Sequence, residues 1–458
     1  MQIKIKLKSL LITLLFLSSI QTFGQNADSE EYSFTLKECI EYAIVNSATT
    51  KNAYLDMELA EGRVKELLAD GYPQLNGSLS LTDNFQLQTS FLPADFFPNP
   101  PQDAEFVPVQ FGVRYAGNAG LSVRQLIFDG SFFLGVKAAK TYKQLSQKQY
   151  TRTKIETAEA VSKAYYGVLV TKERLELASE NLGRLDSLLR QTTAMYENGF
   201  SEKLDVDRIQ VNYNVSKSQV ANFSRLLIAQ ENLLKFQMGI NVKNTLNQKE
   251  TLKDFTPGSI VFDKGSFDYS QRIEYSLLQT QRELDHMNIK QYRVKYYPNL
   301  YLDAAFGANA GESQRGLLFD PSDGWFSYGF YGLTLKMPIF DGMRKKYQIQ
   351  QAKIKAQQTE NLAFNMFNTI DWEQAQAKID WESALSTLEA EQENMGLAQD
   401  IYNTTKIKFQ EGIGQSLDIV NAETSLTDAQ TNYYQALFEA MISEVEYLRS
   451  IGRLWSEE

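Results

Sequence analysis

The chain has 458 residues, 22% of them charged, and a formal net charge of −10. This negative balance argues against a nucleic-acid partner, because phosphates bind clustered Lys and Arg. A single cysteine, Cys39, excludes an internal disulfide and a thiolate metal centre, and a single histidine, His286, leaves little room for Ser-His-Asp chemistry. We therefore expect no enzyme activity and no cofactor.

The N-terminus has the features of a secretion signal. Three lysines, Lys4, Lys6 and Lys8, precede an apolar run from Leu10 to Leu17. We predict that residues 1–24 are a removed signal peptide. A membrane anchor is the weaker alternative, because the apolar run is shorter than the roughly 20 residues that a spanning helix needs.

The first structural repeat, predicted at residues 25–240, begins with sheet. Apolar and polar residues alternate over about 74–90 and again over about 106–126. Each strand is long enough to cross a bilayer, which takes about 9–11 tilted residues. A one-sided sheet in a water-soluble sandwich shows the same alternation. The aromatic residues near these strands are typical of a membrane interface: Phe85, Phe91, Phe96, Phe97 and Phe106.

A long helical hairpin is predicted at residues 131–239. No proline occurs between Pro108 and Pro257, and the segment is rich in helix-forming residues. Apolar residues recur every seven positions from Val161 to Leu189, and a second set recurs three places later, from Ala164 to Thr192. This heptad indicates coiled-coil packing. Gly199 ends the first helix of the hairpin because glycine accepts the left-handed conformation without strain.

After a predicted linker at 241–270, the same pattern returns in a second repeat at 271–458. Strands are predicted at about 299–310 and 325–338, and a second helical hairpin at 342–452. The motif Ile-Phe-Asp-Gly at 127–130 recurs at 339–342, and Leu-Asp-Val at 204–206 returns as Leu-Asp-Ile at 417–419. Asp129 and Asp341 precede their long helices, where a carboxylate caps free N–H groups, so we interpret both as helix-entry caps.

Four strands are too few for a closed sheet in a membrane. A membrane sheet leaves no free edge, and the smallest membrane barrels have about eight strands. Several copies of the chain must therefore contribute to one barrel, and the helical hairpins must come together with them.

The duplicated motifs, in this order, resemble those of the TolC-type outer-membrane efflux proteins over nearly the whole mature chain. The resemblance implies a mixed α and β fold: an outer-membrane β-barrel of four strands per chain and twelve per trimer, continuous with a long periplasmic α-helical coiled-coil barrel. It implies a passive exit duct for small molecules or polypeptides in a tripartite efflux pump or type I secretion system. The implied partners are two further copies, outer-membrane lipid, a periplasmic adaptor (membrane fusion) protein and an inner-membrane transporter of RND or ABC type.

The same resemblance assigns roles to the tips of the two hairpins. The family's periplasmic aperture positions correspond to Asp205, Asp418, Tyr196 and Phe409. Its adaptor-docking positions correspond to Gly199, Phe200, Gly412 and Ile413. Helix capping explains the two aspartates equally well. We hypothesise that trimerisation stacks Asp205 and Asp418 into a ring of negative charge that favours cations.

Two positions depart from the family pattern. Gly414 stands where better-known members have an arginine, and Asn421 stands at a second acidic position. An aperture held shut by an arginine–carboxylate pair is therefore not expected, although Lys203, Lys406 or Lys408 could substitute.

The alternative function is a periplasmic coiled-coil adaptor or scaffold without a channel, which would share the helical hairpins but not the four strands.

Overall fold

The structure is a computed structural model that describes residues 31–99, 105–255, 257–258, 267–313 and 324–455. The predicted signal peptide at 1–24 lies outside the described residues. The described chain combines long helices with short sheets, so the predicted mixed α and β class is confirmed.

The long helices occupy the proline-free stretches. In chain order the helices are α1 (Leu36–Asn46), α2 (Ala48–Ala69), α3 (Gly130–Glu197), α4 (Lys203–Met238), α5 (Ile273–Val294), α6 (Arg344–Gln410) and α7 (Ser416–Ser450). Helices α3 and α4 form the first hairpin, and α6 and α7 form the second. The shorter helices α1, α2 and α5 precede the strand pairs and have no counterpart in the sequence-based prediction.

Four strands form one antiparallel sheet in the order β2 (Gln74–Asp83), β5 (Tyr115–Phe128), β7 (Asn299–Glu312) and β8 (Trp325–Lys336). Each strand is attached to a helix at one end of the sheet, which we call the helix end, and to a loop at the other, the loop end. The register places Leu79, Ala119 and Ala308 in one row, and Ser80, Asn118 and Asn309 in the next. The sheet therefore has an apolar face and a polar face, as the alternation predicts.

The first repeat differs from the predicted strand boundaries. The strand predicted at 74–90 ends at Asp83, and the strand predicted at 106–126 is interrupted before Tyr115. A separate two-stranded antiparallel sheet of β3 (Thr89–Pro93) and β4 (Phe106–Gln110) lies between β2 and β5 in the chain. Gly112 has a φ of 121°, a conformation that breaks a regular ladder although the apolar alternation continues through it.

The predicted aromatic belt is also different. Phe91 and Phe106 lie on the β3–β4 hairpin and Phe96 lies in the turn that follows β3, not at the ends of the four-stranded sheet. In the second repeat the aromatic residues run along β8 on both of its faces.

The described residues divide into two compact units, to which both sequence repeats contribute. The first unit takes its described residues from 31–48, 157–261 and 381–445. It contains a short parallel pair of β1 (Glu31–Phe34) and β6 (Thr245–Gln248), so the predicted linker at 241–270 is partly ordered sheet. Its core includes Tyr165, Leu234 and Met238, all fully buried. Of the predicted heptad, Val161 and Val168 are fully buried there, and the members from Leu175 to Leu189 are half-buried. The set three places later is buried throughout: Ala164, Thr171, Ala178, Leu185 and Thr192.

The second unit takes its described residues from 49–156, 262–380 and 446–458, and it contains the four-stranded sheet. Arg272, only 4% exposed, organises its helices. The guanidinium donates to Glu373 Oε2 at 2.7 Å, to Glu274 Oε2 at 3.0 Å and to the carbonyl of Ser450 at 2.9 Å. It thereby joins the start of α5, the middle of α6 and the last carbonyl of α7.

Candidate functional site

Charged and amide side chains meet on the polar face of the sheet. Near the helix end, Arg124 Nε donates to Asp303 Oδ1 at 2.7 Å, and the Thr334 hydroxyl donates to Asp303 Oδ2 at 2.8 Å. Further along the sheet, Asn118 Nδ2 donates to Asn309 Oδ1 at 2.7 Å. These side chains form a hydrophilic surface that suits contact with water.

The opposite face carries large apolar side chains that are open in the single chain. Leu79 is 71% exposed, Phe306 68% and Leu333 68%. Exposure on this scale over a whole sheet face indicates a surface that contacts something apolar.

The two helical hairpins end in equivalent turns. Gly199 has a φ of 79° and Gly412 a φ of 75°. In each turn the next residue donates its N–H back over five residues, Phe200 to the Met195 carbonyl and Ile413 to the Lys408 carbonyl. Phe200 is 80% exposed and Ile413 79% exposed. Both hairpins therefore present one apolar side chain at their tips.

Asp205 joins the two hairpins. Its Oδ1 accepts a hydrogen bond from the hydroxyl of Ser416, which is the first residue of α7. Its Oδ2 accepts from the Ser201 hydroxyl at 3.0 Å and from the Glu202 N–H at 3.3 Å. The Ser416 hydroxyl, assisted by these groups and by Arg208, holds the pKa of the Asp205 carboxyl below its usual value.

Asp418 has a different environment from Asp205, although the two positions are equivalent in sequence. It lies exposed in the first turn of α7, where its N–H donates to the Gln415 carbonyl at 3.2 Å. The two aspartates are therefore not interchangeable: Asp205 makes contacts within the chain, and Asp418 is open to solvent.

The two tip aromatics differ in the same way. Tyr196 is 43% exposed, whereas Phe409 is 5% exposed and packs with Ile209, Ile419 and Leu426 in a hydrophobic cluster. The geometry of Phe409 is that of a core residue. Its predicted place at an aperture has no support from this arrangement.

Gly414, the position that departs from the family pattern, is tightly enclosed. A Cβ there would stand 2.9 Å from the backbone nitrogen of Phe409 and 3.1 Å from the carbonyl carbon of Lys408. Backbone atoms cannot move aside as side-chain ends can, so this turn excludes an arginine at position 414.

A buried polar cluster near the tips has no precedent in the sequence-based prediction. Glu423 is 3% exposed, and Arg184 Nη2 lies 3.4 Å from its Oε1. The Arg184 guanidinium also contacts the carbonyl oxygen of the Asn181 side chain and lies 5.5 Å from the Tyr402 ring centre. Burial raises the pKa of Glu423, against the opposing effect of Arg184, and burial raises the pKa of Tyr402 to about 12.

The helix-entry residues make capping contacts. Asp129 Oδ1 accepts from the Ser131 N–H at 2.7 Å and from its hydroxyl at 2.6 Å. Asp341 Oδ2 accepts from the Lys345 N–H at 3.1 Å. Both carboxylates therefore satisfy donors at the start of a long helix.

The single cysteine and the single histidine differ in their surroundings. Cys39 is buried, and burial raises the pKa of its thiol to about 12. The imidazole of His286 is exposed, with Nε2 3.8 Å from Glu360 Oε1. Among the described residues, no group of His, Cys, Asp or Glu side chains could hold a metal ion.

No helix in the described part of the chain combines the length and the apolar character that crossing a membrane requires.

Comparison with known proteins gives a consistent result. The profile of the family described as "Outer membrane efflux protein" matches residues 39–239 and 277–453. A curated relative, the "Probable efflux pump outer membrane protein TtgC" of Pseudomonas putida, is 21% identical over 425 residues, which cover 92% of this chain and 84% of the relative. The "Cation efflux system protein CusC" of Escherichia coli K12 is 22% identical over 427 residues, covering 91% and 86%.

Solved structures agree in fold. A crystal structure of CusC superposes with a TM-score of 0.72 at 18% identity, covering 91% of this chain and 92% of that one. The open-state crystal structure of the MtrE outer membrane channel of Neisseria gonorrhoeae superposes with a TM-score of 0.68 at 15% identity, covering 91% and 88%.

Proposed function

The chain belongs to the outer membrane efflux protein family, and from this we propose that three copies form the passive exit duct of a tripartite efflux pump or type I secretion system. Its location is the outer membrane, with the helical hairpins on the periplasmic side. The family is described as efflux proteins, and we propose that the duct itself performs no chemistry.

One observation from this chain carries the proposal. The sheet β2-β5-β7-β8 has an apolar face, a polar face that carries Arg124 and Asp303, and a partner on only one side of each outermost strand, β2 and β8, within the described residues. In a membrane those two edges must be paired. Three copies joined edge to edge give a sheet of twelve strands. This is enough to close, because the smallest membrane barrels have about eight strands.

The partners follow from the passive character of the duct. Export against a gradient needs an energised inner-membrane transporter, and a periplasmic adaptor is needed to join it to an outer-membrane protein. We propose that the adaptor docks at the hairpin tips, at Gly199, Phe200, Gly412 and Ile413, because both tips present an exposed apolar side chain. The alternative function, a periplasmic scaffold without a channel, is disfavoured because the family match spans both strand pairs.

We place the periplasmic aperture at the same tips, with Asp205, Asp418 and Tyr196 as its polar residues. The hydrogen bond from Ser416 to Asp205 holds the second hairpin against the first in the closed state. It does so where Gly414 leaves no room for an arginine. Phe409 contributes by packing with Ile209 on the first hairpin and Ile419 on the second.

The experiment is a conductance measurement on purified protein. We expect an oligomer that requires detergent, runs on gels as a heat-modifiable trimer and inserts single conducting channels into a planar bilayer. A detergent-free monomer without conductance would contradict the proposal.

A further inference from the structure

One face of the β3–β4 hairpin carries an exposed apolar patch, next to a polar pair, Thr89 and Gln110, at the base of the hairpin. The register pairs Phe91 with Pro108 and Pro93 with Phe106, and these four side chains lie on the same side of the two strands. Phe91 is 69% exposed and Phe106 is 52% exposed. Neither β3 nor β4 contains a charged residue. We call these four residues the hairpin face.

The hairpin face is suited to covering by side chains and not by strand addition. Pro93 and Pro108 lack an N–H group, so neither strand offers an unbroken edge to another chain. An exposed apolar patch of several large side chains is typical of an interaction surface.

The connection from the hairpin to β5 lies over the polar face of the sheet. The methyl Cγ2 of Val113, between β4 and β5, stands 3.0 Å from where a Cβ of Gly311 would be. Gly311 has the same orientation on β7 as Asn309 and Asp303, so this contact is on the polar face. The chain that leaves the hairpin therefore crosses the polar face of the sheet and not the apolar face.

The polar face carries an apolar surface of its own at one edge. Strand β8 places Phe326, Tyr328 and Phe330 on this face, in rows that begin with Ser80, Ser78 and Asn76 on β2. The Tyr328 hydroxyl lies over Gly120 and Gly307, where a Cβ would stand 3.1 Å and 2.9 Å from it. Phe326 is 74% exposed and Phe330 is 59% exposed. Two large apolar side chains thus face what is otherwise a hydrophilic surface.

Edge-to-edge assembly brings the two apolar surfaces together. In a ring of copies, β8 of one subunit lies beside β2 of the next, at the strand spacing of about 4.8 Å. Strand β2 ends at Asp83, at the loop end, and leads directly into the β3–β4 hairpin. The hairpin of one subunit therefore begins beside Phe326 of its neighbour.

We propose that the β3–β4 hairpin of each subunit packs its hairpin face on Phe326 and Phe330 of the neighbouring subunit. This inference rests on the proposed trimeric duct. Three such contacts form a hydrophobic collar inside the loop end of the channel, a type of narrowing that restricts water and ions. The occupant of the hairpin face is thus a second copy of this chain.

The test is cross-linking between subunits. Phe91→Cys and Phe326→Cys are combined in a Cys39→Ser background, the trimer is purified in detergent, and a short bismaleimide is added. After heating in SDS, we expect loss of the monomer band and a ladder of covalent dimers and trimers. The matched control combines Phe91→Cys with Tyr331→Cys, which is 86% exposed on the apolar face of the same strand, and we expect it to stay monomeric.

The outcomes separate this inference from the function on which it rests. Three outcomes in a preparation that is trimeric and conducts would overturn the hairpin contact alone. They are cross-links within one subunit, equal cross-linking of the Tyr331→Cys control, and no cross-linking. A preparation that is neither trimeric nor conducting would overturn the proposed function, and this inference with it.

A second measurement does not depend on cross-linker reach. Phe91→Asp with Phe106→Asp adds charge to the collar, and we expect a higher single-channel conductance. Thr89→Asp with Gln110→Asp adds the same charge to the hydrogen-bonded polar pair of the same hairpin, and we expect a smaller effect. Equal conductance of both variants and the unmodified protein would contradict the collar.

Discussion

The Ser416 hydroxyl donates to the Asp205 carboxylate across 211 residues of sequence. The bond joins the first turn of α7 to the first turn of α4, and thus one helical hairpin to the other. Ser416 is 6% exposed, so water competes weakly for this contact.

Replacing Ser416 by alanine should make the aperture easier to open. The substitution removes the hydroxyl without adding bulk, and a hydrogen bond to a charged group contributes about 2 kcal/mol. We expect a larger fraction of open time in planar-bilayer recordings. Ser201→Ala is the control, because it removes a hydroxyl from the same carboxylate within one hairpin. Identical recordings from the two variants would argue against a role for the bond between hairpins.

Acid should open the aperture, but only strong acid. The pKa of Asp205 is lowered in the folded protein, so its stabilising contribution is complete above the usual value of 3.8 and is lost as pH falls through the lowered pKa. We expect open time to rise steeply below that usual value in recordings over a pH series. Asp205→Asn should remove this step, and a step that persists in the variant must come from another group.

Alanine at Gly414 should destabilise the second tip. Its Cβ would press on the Phe409 backbone, and such overpacking costs on the order of 1–3 kcal/mol. We expect a lower temperature for loss of the native trimer. Gly396→Ala is the matched control within α6, because a Cβ there meets no atom within 4 Å and a helical Gly→Ala change favours the helix by about 1 kcal/mol. If Gly414→Ala melts at the same temperature as the unmodified protein, the tip backbone can shift to accommodate the added Cβ, and the prediction is wrong.

Local periodicity was sufficient to predict the main elements. The alternation of β2, β5, β7 and β8 identifies the apolar face, and the heptad from Ala164 to Thr192 identifies the buried stripe of α3. The β3–β4 hairpin could not be predicted in this way, because alternation continues on both sides of Gly112 while the backbone turns there. The break depends on backbone conformation, which a pattern of polarity does not record.

The tip residues could be located but not distinguished from sequence. Asp205 and Asp418 occupy equivalent positions, yet only Asp205 bonds to the other hairpin, and Phe409 is buried where Tyr196 is half exposed. These differences arise from the tertiary packing of two distant hairpins. The Arg184–Glu423 contact depends on the same packing and had no motif to mark it.

Glu423→Gln should stabilise the hairpins at neutral pH. The pKa of Glu423 is raised, chiefly by burial, so its charged form costs stability above the raised pKa. This cost decreases as pH falls through the raised pKa and is gone below the usual value of 4.5. We expect a higher melting temperature than that of the unmodified protein at pH 7 and equal values in acid. Glu180 is an exposed acid of the same region, and we expect Glu180→Gln to have the same melting temperature as the unmodified protein at each pH. A lower melting temperature for Glu423→Gln at pH 7 would mean that the ion pair with Arg184 outweighs burial.

Asp418 should determine ion selectivity more than Asp205 does. The ring hypothesis assigns cation preference to both, but Asp205 shares its charge with the Ser416 and Ser201 hydroxyls, while Asp418 faces solvent. An exposed carboxylate acts on passing ions at full charge, so we expect Asp418→Asn to move the reversal potential in a salt gradient further than Asp205→Asn. Asp428 is an exposed acid on α7 further from the hairpin tip, so Asp428→Asn is the control and should have little effect on the reversal potential. Unchanged cation preference in the Asp205→Asn and Asp418→Asn double variant would exclude the ring, because no charge would then remain at either position to account for it.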